Sequence, residues 1–322
     1  MARLCASPWG LEDYGPLGEL PCLLIGTDNG ETVPGDPARI AARLRELPCP
    51  VLALGPGVPA PLLRGVDVVV ENRAAARPLL RNITRHPVAA MTLVQLLRHN
   101  EDVEPVQGLL AESLAYATLQ GGAEFAAVQA QGLNTAAAVV EEGPPVLVSR
   151  RGAELRIRFN RPAARNAYNA AMRDALYEAL QLLHADPDLA LAVVTAEGAC
   201  FSVGGDLAEF GRVAHAATAH AIRSARNVAS LLLTLAPRLE FHLHSACIGS
   251  GIELPAFGGR VIGRADTFVQ LPEIRYGLLP GAGGTVSIPR RIGRQRTAWL
   301  ALSGRRINAS TALQWGLLDA VV

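Results

Sequence analysis

The sequence predicts an α/β protein in two parts, and three observations support this. In the C-terminal half, apolar strands alternate with glycine-containing loops and amphipathic helices, the order typical of folds that hold a ligand at strand ends. Before it, a smaller α/β unit is followed by a helical stretch. Between the two, residues 141–145 (EEGPP) cannot continue a helix, because two prolines follow a glycine. We therefore expect a linker at 141–145 between regions 1–140 and 146–322.

The N-terminal region contains three short apolar runs that predict buried strands, at 21–26 (PCLLIG), 51–55 (VLALG) and 66–71 (VDVVVE). An amphipathic segment at 36–47 separates the first two and indicates a small βαβ-like unit. From 73 to 131 leucines recur at helical spacings, for example at Leu93, Leu97, Leu110 and Leu114. These helices must bury their leucine-rich face, and we expect them to pack on the C-terminal region, within one chain or across a subunit interface. The alternative is an independent domain, tethered by 141–145, with its own ligand or partner.

The C-terminal region begins with a strand in which Leu155, Ile157 and Phe159 alternate with arginines. Apolar periodicity then predicts the further elements. These are a helix at 170–184, a strand at 189–195, one long helix at 218–235 and a strand at 239–244.

Composition excludes several classes of function. The 30 basic and 29 acidic residues balance, so no nucleic-acid partner is expected. The chain contains no lysine, which excludes a lysine Schiff base, a lysine general base and a Walker-type phosphate site. Its five cysteines are scattered without a CxxC pair, which predicts reduced thiols and no metal site. No apolar run of about 18 residues occurs and the start lacks a signal peptide, so we expect a cytoplasmic protein without a membrane span.

Two glycine clusters, 201–206 (FSVGGD) and 248–254 (IGSGIEL), each follow a predicted strand. Backbone N–H groups left free at such turns can point at an anion. Glu253 lies in the second cluster, and Glu273 lies in a third segment, 271–285 (LPEIRYGLLPGAGGT). Taken alone, the first cluster is more typical of an ordinary tight turn, Glu253 of an acid that stabilises a helix start, and Glu273 of a solvated loop acid. Together they predict two N–H donors and a pair of carboxylates around one carbonyl, the requirement of acid–base chemistry on a thioester.

The ordered set of motifs resembles the enoyl-CoA hydratase/isomerase (crotonase) superfamily over about residues 146–322. These motifs are 160–162 (NRP) with 166–167 (NA), 201–206 (FSVGGD), 249–253 (GSGIE), 271–273 (LPE) and 280–285 (PGAGGT). The resemblance implies a spiral of ββα units that assembles into trimers and often hexamers. It also implies an acyl-CoA substrate, with coenzyme A as part of the substrate and no separate cofactor.

The resemblance also implies roles for individual residues. The backbone N–H groups of Ser202 and Ser250 would form the oxyanion hole, and the segment Ser202, Val203, Gly204 and Gly205 would line the thioester. Glu253 would hold and deprotonate water, and Glu273 would deliver a proton to the α-carbon. Because both acids are present, hydration is favoured over isomerisation.

The chain departs from the family pattern in three places. Ser250 replaces a usual glycine, and Ala163 stands where many relatives carry a lysine near coenzyme A, which makes Arg161 and Arg165 the candidates for that contact. The sequence given ends at Val322 without the usual C-terminal helices, and we expect the helices of region 1–140 to cover the acyl pocket instead. Two classes of function stay open: an enzyme (a hydratase, an isomerase or another crotonase-type catalyst) and a non-catalytic acyl-CoA-binding subunit.

Overall fold

A computed structural model of the chain describes residues 11–26, 36–55, 57–132, 139, 142–213 and 215–322. The predicted linker begins at Glu141, which lies outside the described residues, as does Cys5. Within the described residues, no helix is both long and apolar enough to cross a membrane.

The first strands form the predicted small parallel unit. Strands β1 (Leu23–Gly26), β2 (Val51–Leu54) and β3 (Val68–Val70) pair in that order. Helix α1 (Pro37–Glu46) connects β1 to β2, and the Asp36 side chain caps it by accepting from Ala38 N at 2.9 Å. A short helix, α2 (Ala60–Leu63), leads into β3.

Four helices follow, as the leucine spacing predicted: α3 (Arg73–Arg85), α4 (Pro87–Asn100), α5 (Pro105–Gln120) and α6 (Ala123–Ala130). Prolines begin α4 and α5, because the first helical position needs no N–H donor. The Glu124 carboxylate caps α4 by accepting from Val88 N at 2.7 Å and Ala89 N at 3.1 Å. The predicted burial of leucines is only partly correct, since Leu110 and Leu114 are 54% and 49% exposed.

The C-terminal region supplies the remaining elements. Its strands are β4 (Val146–Arg151), β5 (Glu154–Phe159), β6 (Leu191–Ala196), β7 (Leu239–Leu243), β8 (Ala246–Ile248), β9 (Arg260–Gly263), β10 (Phe268–Gln270), β11 (Arg306–Asn308) and β12 (Ala320–Val321). Its α-helices are α7 (Ala170–Ala185), α8 (Ala216–Ala225), α9 (Val228–Leu235), α10 (Ser250–Glu253), α11 (Gly284–Ile292), α12 (Arg294–Ser303) and α13 (Ala309–Trp315).

These strands form two sheets, in the orders β12-β9-β7-β6-β5-β4 and β11-β10-β8. The larger sheet is parallel except for the hairpin of β4 and β5. A short 3-10 turn at Leu207–Glu209 follows the glycine loop 201–206, and another at Glu273–Tyr276 follows β10. The single long helix predicted at 218–235 is wrong: the chain breaks between α8 and α9, where Asn227 caps the second helix by accepting from Ser230 N at 3.1 Å.

The N-terminal helices pack directly on the C-terminal region, as expected from their apolar faces. Helices α4 and α5 contact α11, and α3 and α4 contact α12. One hydrophobic core therefore contains Leu79 and Leu93 together with Ile288 and Leu300.

A buried ion network joins the small sheet, the four helices α3–α6 (the helical layer) and the C-terminal region. Asp67, which is 1% exposed, accepts from Val51 N at 2.8 Å, Arg98 Nε at 2.9 Å and Arg294 Nη1 at 2.8 Å. Both guanidiniums are buried, and Arg98 also donates to the carbonyl of Leu47 at 2.7 Å. Because a buried charge needs both an opposite charge and hydrogen bonds, this one carboxylate stabilises the meeting point of three substructures.

We predict that Asp67→Asn destabilises the protein by about 3–5 kcal/mol, because it leaves the buried Arg98 guanidinium without a counter-charge and leaves Arg294 with Glu101 as its carboxylate partner. Urea unfolding measures the loss. The control is Asp102→Asn, whose carboxylate pairs with Arg45 at 3.1 Å but is 77% exposed. That change should cost at most about 1 kcal/mol. Equal losses in the two variants would contradict the role of Asp67.

Candidate active site

A cavity of about 270 Å³ lies between the glycine loops of the C-terminal region and the helices α5 and α8. The C-terminal region contributes Gly205, Ser250, Glu253 and Glu273 to its lining. Helix α5 contributes Leu109, Glu112, Ser113, Tyr116 and Gln120. The cavity thus brings together the two predicted acids, two residues predicted to bind the thioester (Gly205 and Ser250) and residues of a helix outside the family-like region 146–322.

The two glycine loops meet in direct backbone contact. Ile248 N donates to Ser202 O at 3.0 Å, which joins the first loop to the end of β8. Gly204 has a φ of 92°, and a Cβ there would lie 2.8 Å from the carbonyl oxygen of Ile248. Because a side chain at this position would both strain the backbone and collide with the second loop, glycine is required for the approach.

The backbone donors that face the cavity differ from the predicted pair. Ser202 N donates to Ala246 O at 3.1 Å, so the prediction that it supplies an oxyanion donor is wrong. Gly204 O and Asp206 N both bond to Tyr168, at 2.7 and 3.0 Å, and the intervening Gly205 N–H has no acceptor within the described residues. Ser250 N, at the first position of α10, likewise has none there. The available donors are therefore on Gly205 and Ser250.

The other residues of the first loop support it and do not line the cavity. The Ser202 hydroxyl donates to Asn166 O at 2.7 Å and accepts from Gly204 N at 3.2 Å. Val203 N donates to Arg165 O at 3.2 Å. The prediction that Ser202, Val203 and Gly204 contact a thioester is therefore wrong. At these positions the main chain is still held against β8 and Arg165.

The two arginine candidates differ sharply. Arg161 is 6% exposed, and its guanidinium bonds to Asp206 Oδ2 at 3.2 Å and to the carbonyl of Ala167. It stabilises the loop from inside, so its predicted contact with coenzyme A is wrong. Arg165 is exposed, with a φ of 52° and no ion pair among the described residues, and it stays the candidate for that contact.

Glu253 lies at the end of α10, beside the start of α11. It is 2% exposed, and its Oε2 accepts from Ala282 N at 2.7 Å and Gly284 N at 3.0 Å. A carboxylate is stabilised there because free N–H groups and the helix dipole both favour negative charge. Oε1 has no protein donor among the described residues, which leaves it for a ligand.

Glu273 approaches the same place from the 3-10 turn after Pro272. A Cβ at Gly249, the residue before Ser250, would lie 2.5 Å from its Oε1, which places this carboxyl next to the second loop. Its Oε2 is enclosed without a hydrogen-bond partner in the described structure, as is the Ser250 hydroxyl. Buried polar atoms of this kind mark positions where a ligand or water is accommodated.

A third carboxyl, which sequence analysis missed, belongs to Glu112 of α5. It is 3% exposed and accepts from Gly283 N at 2.6 Å, Thr285 N at 2.9 Å and Thr285 Oγ1 at 2.6 Å. The signal that could have revealed it is its isolation, because Glu112 is the one charged residue in the sixteen-residue helix Pro105–Gln120.

The three carboxyls share a low-dielectric site, and their pKa values are raised. Burial raises the pKa of Glu273 to about 8 and that of Glu112 to about 7. Burial first, and then the neighbouring Glu273 and Glu112, raise the pKa of Glu253 well above its usual range. Burial and mutual repulsion therefore both oppose ionisation of all three groups together. Among the described residues, no three His, Cys, Asp or Glu side chains are placed to hold a metal ion.

The cavity wall on the α5 side is polar and aromatic. The Arg223 guanidinium lies 4.8 Å from the centre of the Tyr116 ring and donates to Ser113 Oγ at 3.2 Å and Gln120 Oε1 at 3.1 Å. The Tyr116 ring in turn packs on Gly281, where a Cβ would lie 2.3 Å from the ring. The loop around Gly281 thus depends on the N-terminal helices for its position.

Comparison with known proteins supports this description. Residues 151–322 match the sequence model of the enoyl-CoA hydratase/isomerase family. The chain is 33% identical over 176 residues to the 2,3-dehydroadipyl-CoA hydratase of Escherichia coli, covering 55% of this chain and 68% of the relative. It is 30% identical over 172 residues to an enoyl-CoA isomerase/hydratase of Mycosarcoma maydis, covering 51% and 63%.

Solved structures agree on the fold. The enoyl-CoA hydratase of Thermoplasma volcanium superposes with a TM-score of 0.51 at 30% identity, over 56% of this chain and 73% of that one. The enoyl-CoA hydratase of Mycobacterium smegmatis gives 0.52 at 27% identity, over 56% and 70%. Helix α5, which carries Glu112 and Tyr116, precedes the segment matched by the family model. On these matches, and on the cavity built around its two glycine loops, the chain belongs to the enoyl-CoA hydratase/isomerase (crotonase) family of acyl-CoA enzymes.

Proposed function

We propose that this protein hydrates 2-enoyl-CoA thioesters by syn addition of water. One observation carries the proposal: Glu253 and Glu273 line the same cavity as Gly205 and Ser250, whose backbone N–H groups have no acceptor in the described structure. Those N–H groups would bind the thioester oxygen and stabilise the negative charge that develops there. The resemblance to hydratases is consistent with this reaction.

The proposed step consumes one water and one carbon–carbon double bond. Glu253 Oε1 accepts a proton from water, whose oxygen bonds to the β-carbon. Electrons of the double bond shift toward the thioester oxygen, where the N–H groups of Gly205 and Ser250 stabilise them. Glu273 then donates its proton to the α-carbon, and the carbonyl is restored. Proton exchange with solvent then deprotonates Glu253 and reprotonates Glu273 for the next cycle. Coenzyme A stays bonded to the acyl group throughout, and no other cofactor is invoked.

Hydrogen bonding supports this division of roles between the two acids. Donors to a carboxylate favour its charged form, and Glu253 Oε2 receives two backbone N–H groups. Glu273 Oε2 has no donor among the described residues, and burial raises the pKa of Glu273 to about 8. Burial raises the pKa of both acids, but the two backbone donors offset part of that effect at Glu253. On this hydrogen bonding we assign Glu253 as the base and Glu273 as the acid.

The substrate to test first is crotonyl-CoA, whose loss of enoyl-thioester absorbance reports hydration directly. A 2-enoyl-CoA with a terminal carboxylate is the second, for two reasons. The Escherichia coli relative is named for 2,3-dehydroadipyl-CoA, and Arg223 lines the cavity with hydrogen-bond partners that, within the described part of the chain, are all neutral. Binding of both thioesters without turnover would reject the proposal in favour of a non-catalytic acyl-CoA-binding subunit. Double-bond migration without hydration would identify an isomerase.

We predict that Glu253→Gln and Glu273→Gln each lower kcat by roughly two to four orders of magnitude, because each removes a proton-transferring group while keeping its size. Steady-state kinetics on the substrate that turns over measures this, with circular dichroism to confirm folding. A near-wild-type rate in either variant would remove that glutamate from the mechanism.

We predict that Ser250→Pro lowers kcat roughly 10²–10³-fold, because it deletes an oxyanion donor. Proline is compatible with the first position of a helix, so α10 should still form. Ser250→Gly is the matched control, since it keeps the N–H group and loses only the hydroxyl. If Ser250→Gly is as inactive as Ser250→Pro, the hydroxyl and not the N–H group is the important donor.

We predict a pH profile of kcat/KM that falls above about pH 8. The acid must carry its proton to donate it, and Glu273, with a pKa of about 8, loses that proton as pH rises. The profile also falls at low pH, where Glu253 becomes protonated and can no longer accept a proton from water. A rate that keeps rising well above pH 8 would exclude Glu273 as the acid.

A further inference from the structure

Four consecutive backbone N–H groups at the start of α11 are divided between two glutamates. Ala282 and Gly284 donate to Glu253, and Gly283 donates to Glu112 at 2.6 Å. The fourth group, on Thr285, also donates to Glu112, at 2.9 Å, and the Thr285 hydroxyl adds a third bond at 2.6 Å. Glu253 and Glu112 therefore hold alternate residues of the same turn.

The N-terminal helices also contact this turn at other positions. Asn100, at the end of α4, donates to the carbonyl and the hydroxyl of Thr285 at 3.1 and 3.2 Å. Gly108 of α5 lies against α11 so closely that a Cβ there would be 3.0 Å from Val286 Cγ2. Contacts of this kind bring α5 near enough for the short Glu112 side chain to reach the turn.

We propose that Glu112 is a positioning residue of the active site: by holding Gly283 and Thr285 it places the turn that orients Glu253, and its charge sets the pH range in which Glu253 and Glu273 work. This inference rests on the proposed hydration reaction for its kinetic consequences. The helical layer precedes the matched family segment, and through Glu112 it would help to position and tune the catalytic acids.

The electrostatic part follows from the groups that surround Glu112. Among the described residues, the neutral groups around it include Thr285 of α11, which donates to Glu112, and Asn100 of α4, which donates to Thr285. The charged or titratable groups that face it are Glu253 of α10, Glu273 of the 3-10 turn, Tyr116 of α5 and Arg223 of α8, beside which His220 bonds to Ser113. A negative charge on Glu112 makes it harder to ionise both catalytic acids, and it raises the pKa of each.

The variant Glu112→Gln removes this charge at nearly constant size. The pKa values of Glu253 and Glu273 should both fall, so both limbs of the kcat/KM pH profile should move to lower pH, by roughly one unit. A residue with only a structural role would lower the profile without moving its limbs. Unmoved limbs in an active Glu112→Gln protein would overturn the proposal.

Glu112→Asp distinguishes the effect of charge from the effect of side-chain length, since it keeps the carboxylate but shortens the side chain by one methylene. Its limbs should stay in place while kcat falls, by up to roughly 10²-fold, because the turn is held less well. The matched control is Glu124→Gln, whose carboxylate also holds a helix start, at Val88 and Ala89, but does not line the cavity. It should move neither limb; a shift equal to that of Glu112→Gln would contradict the proposal.

A measurement without substrate tests the charge coupling even if neither thioester is hydrated, so that failure of the proposed function is distinguishable. Folding raises the pKa of Glu112 to about 7 from an unfolded value near 4.3. Its stabilising contribution is complete below the unfolded pKa and is lost as pH rises through the folded one. Tm should therefore decline less between about pH 5 and pH 8 in Glu112→Gln than in the wild type.

Equal declines in wild type and Glu112→Gln would overturn the proposed coupling. If Glu112→Gln does not fold, Thr285→Val is the milder variant, because it removes one of the three donors to Glu112 and leaves both donors to Glu253. Glu112 then stays protonated to higher pH, so the limbs should shift in the same direction by less. Limbs that do not move in Thr285→Val would count against the proposal.

Discussion

The rest of the site depends on one constraint: the first backbone N–H groups of α11 need acceptors from outside the helix. These groups cannot bond within the helix, and burial denies them water, so side-chain acceptors must be supplied. Glu253 supplies them from the strand-and-loop scaffold, and Glu112 supplies them from the helical layer. In meeting this requirement, the fold brings two carboxyls, and with Glu273 a third, into one enclosed space. The raised pKa values are a consequence of that burial.

Close backbone approach is the second requirement, and it explains where glycines occur. The loop at Gly204 contacts the loop at Ile248, and Gly249 lies against the Glu273 carboxyl. Gly205 and Ser250, which follow these contacts, line the cavity, and their N–H groups have no acceptor within the described residues. Catalytic geometry of this kind depends on the main chain, so it tolerates variation in side chains but not in backbone conformation. The serine at position 250, with its enclosed hydroxyl, is consistent with that tolerance.

The N-terminal region is attached through charge as well as through apolar packing. Asp67 ties the small sheet to Arg98 of the helical layer and to Arg294 of α12. The same layer contributes Glu112 and Tyr116 to the cavity, about 45 residues along the chain from Asp67. One network therefore stabilises the docking of the layer, and another uses the docked layer to shape the site. The sequence-based expectation that these helices cover the pocket agrees with the residues that line it.

The sequence by itself determined most of the secondary structure, and it singled out Glu253 and Glu273 as the candidate acids that the structure places on one cavity. Periodicity, proline and glycine are local signals, and ordered motifs carry a family resemblance without any knowledge of contacts. Only the tertiary structure decided which N–H groups are free, because that depends on where Ser202 bonds across the sheet. It also decided that Arg161 is buried and that Glu112 is part of the site. Both depend on segments far apart in the chain, and a local pattern contains no information about which buried groups will meet.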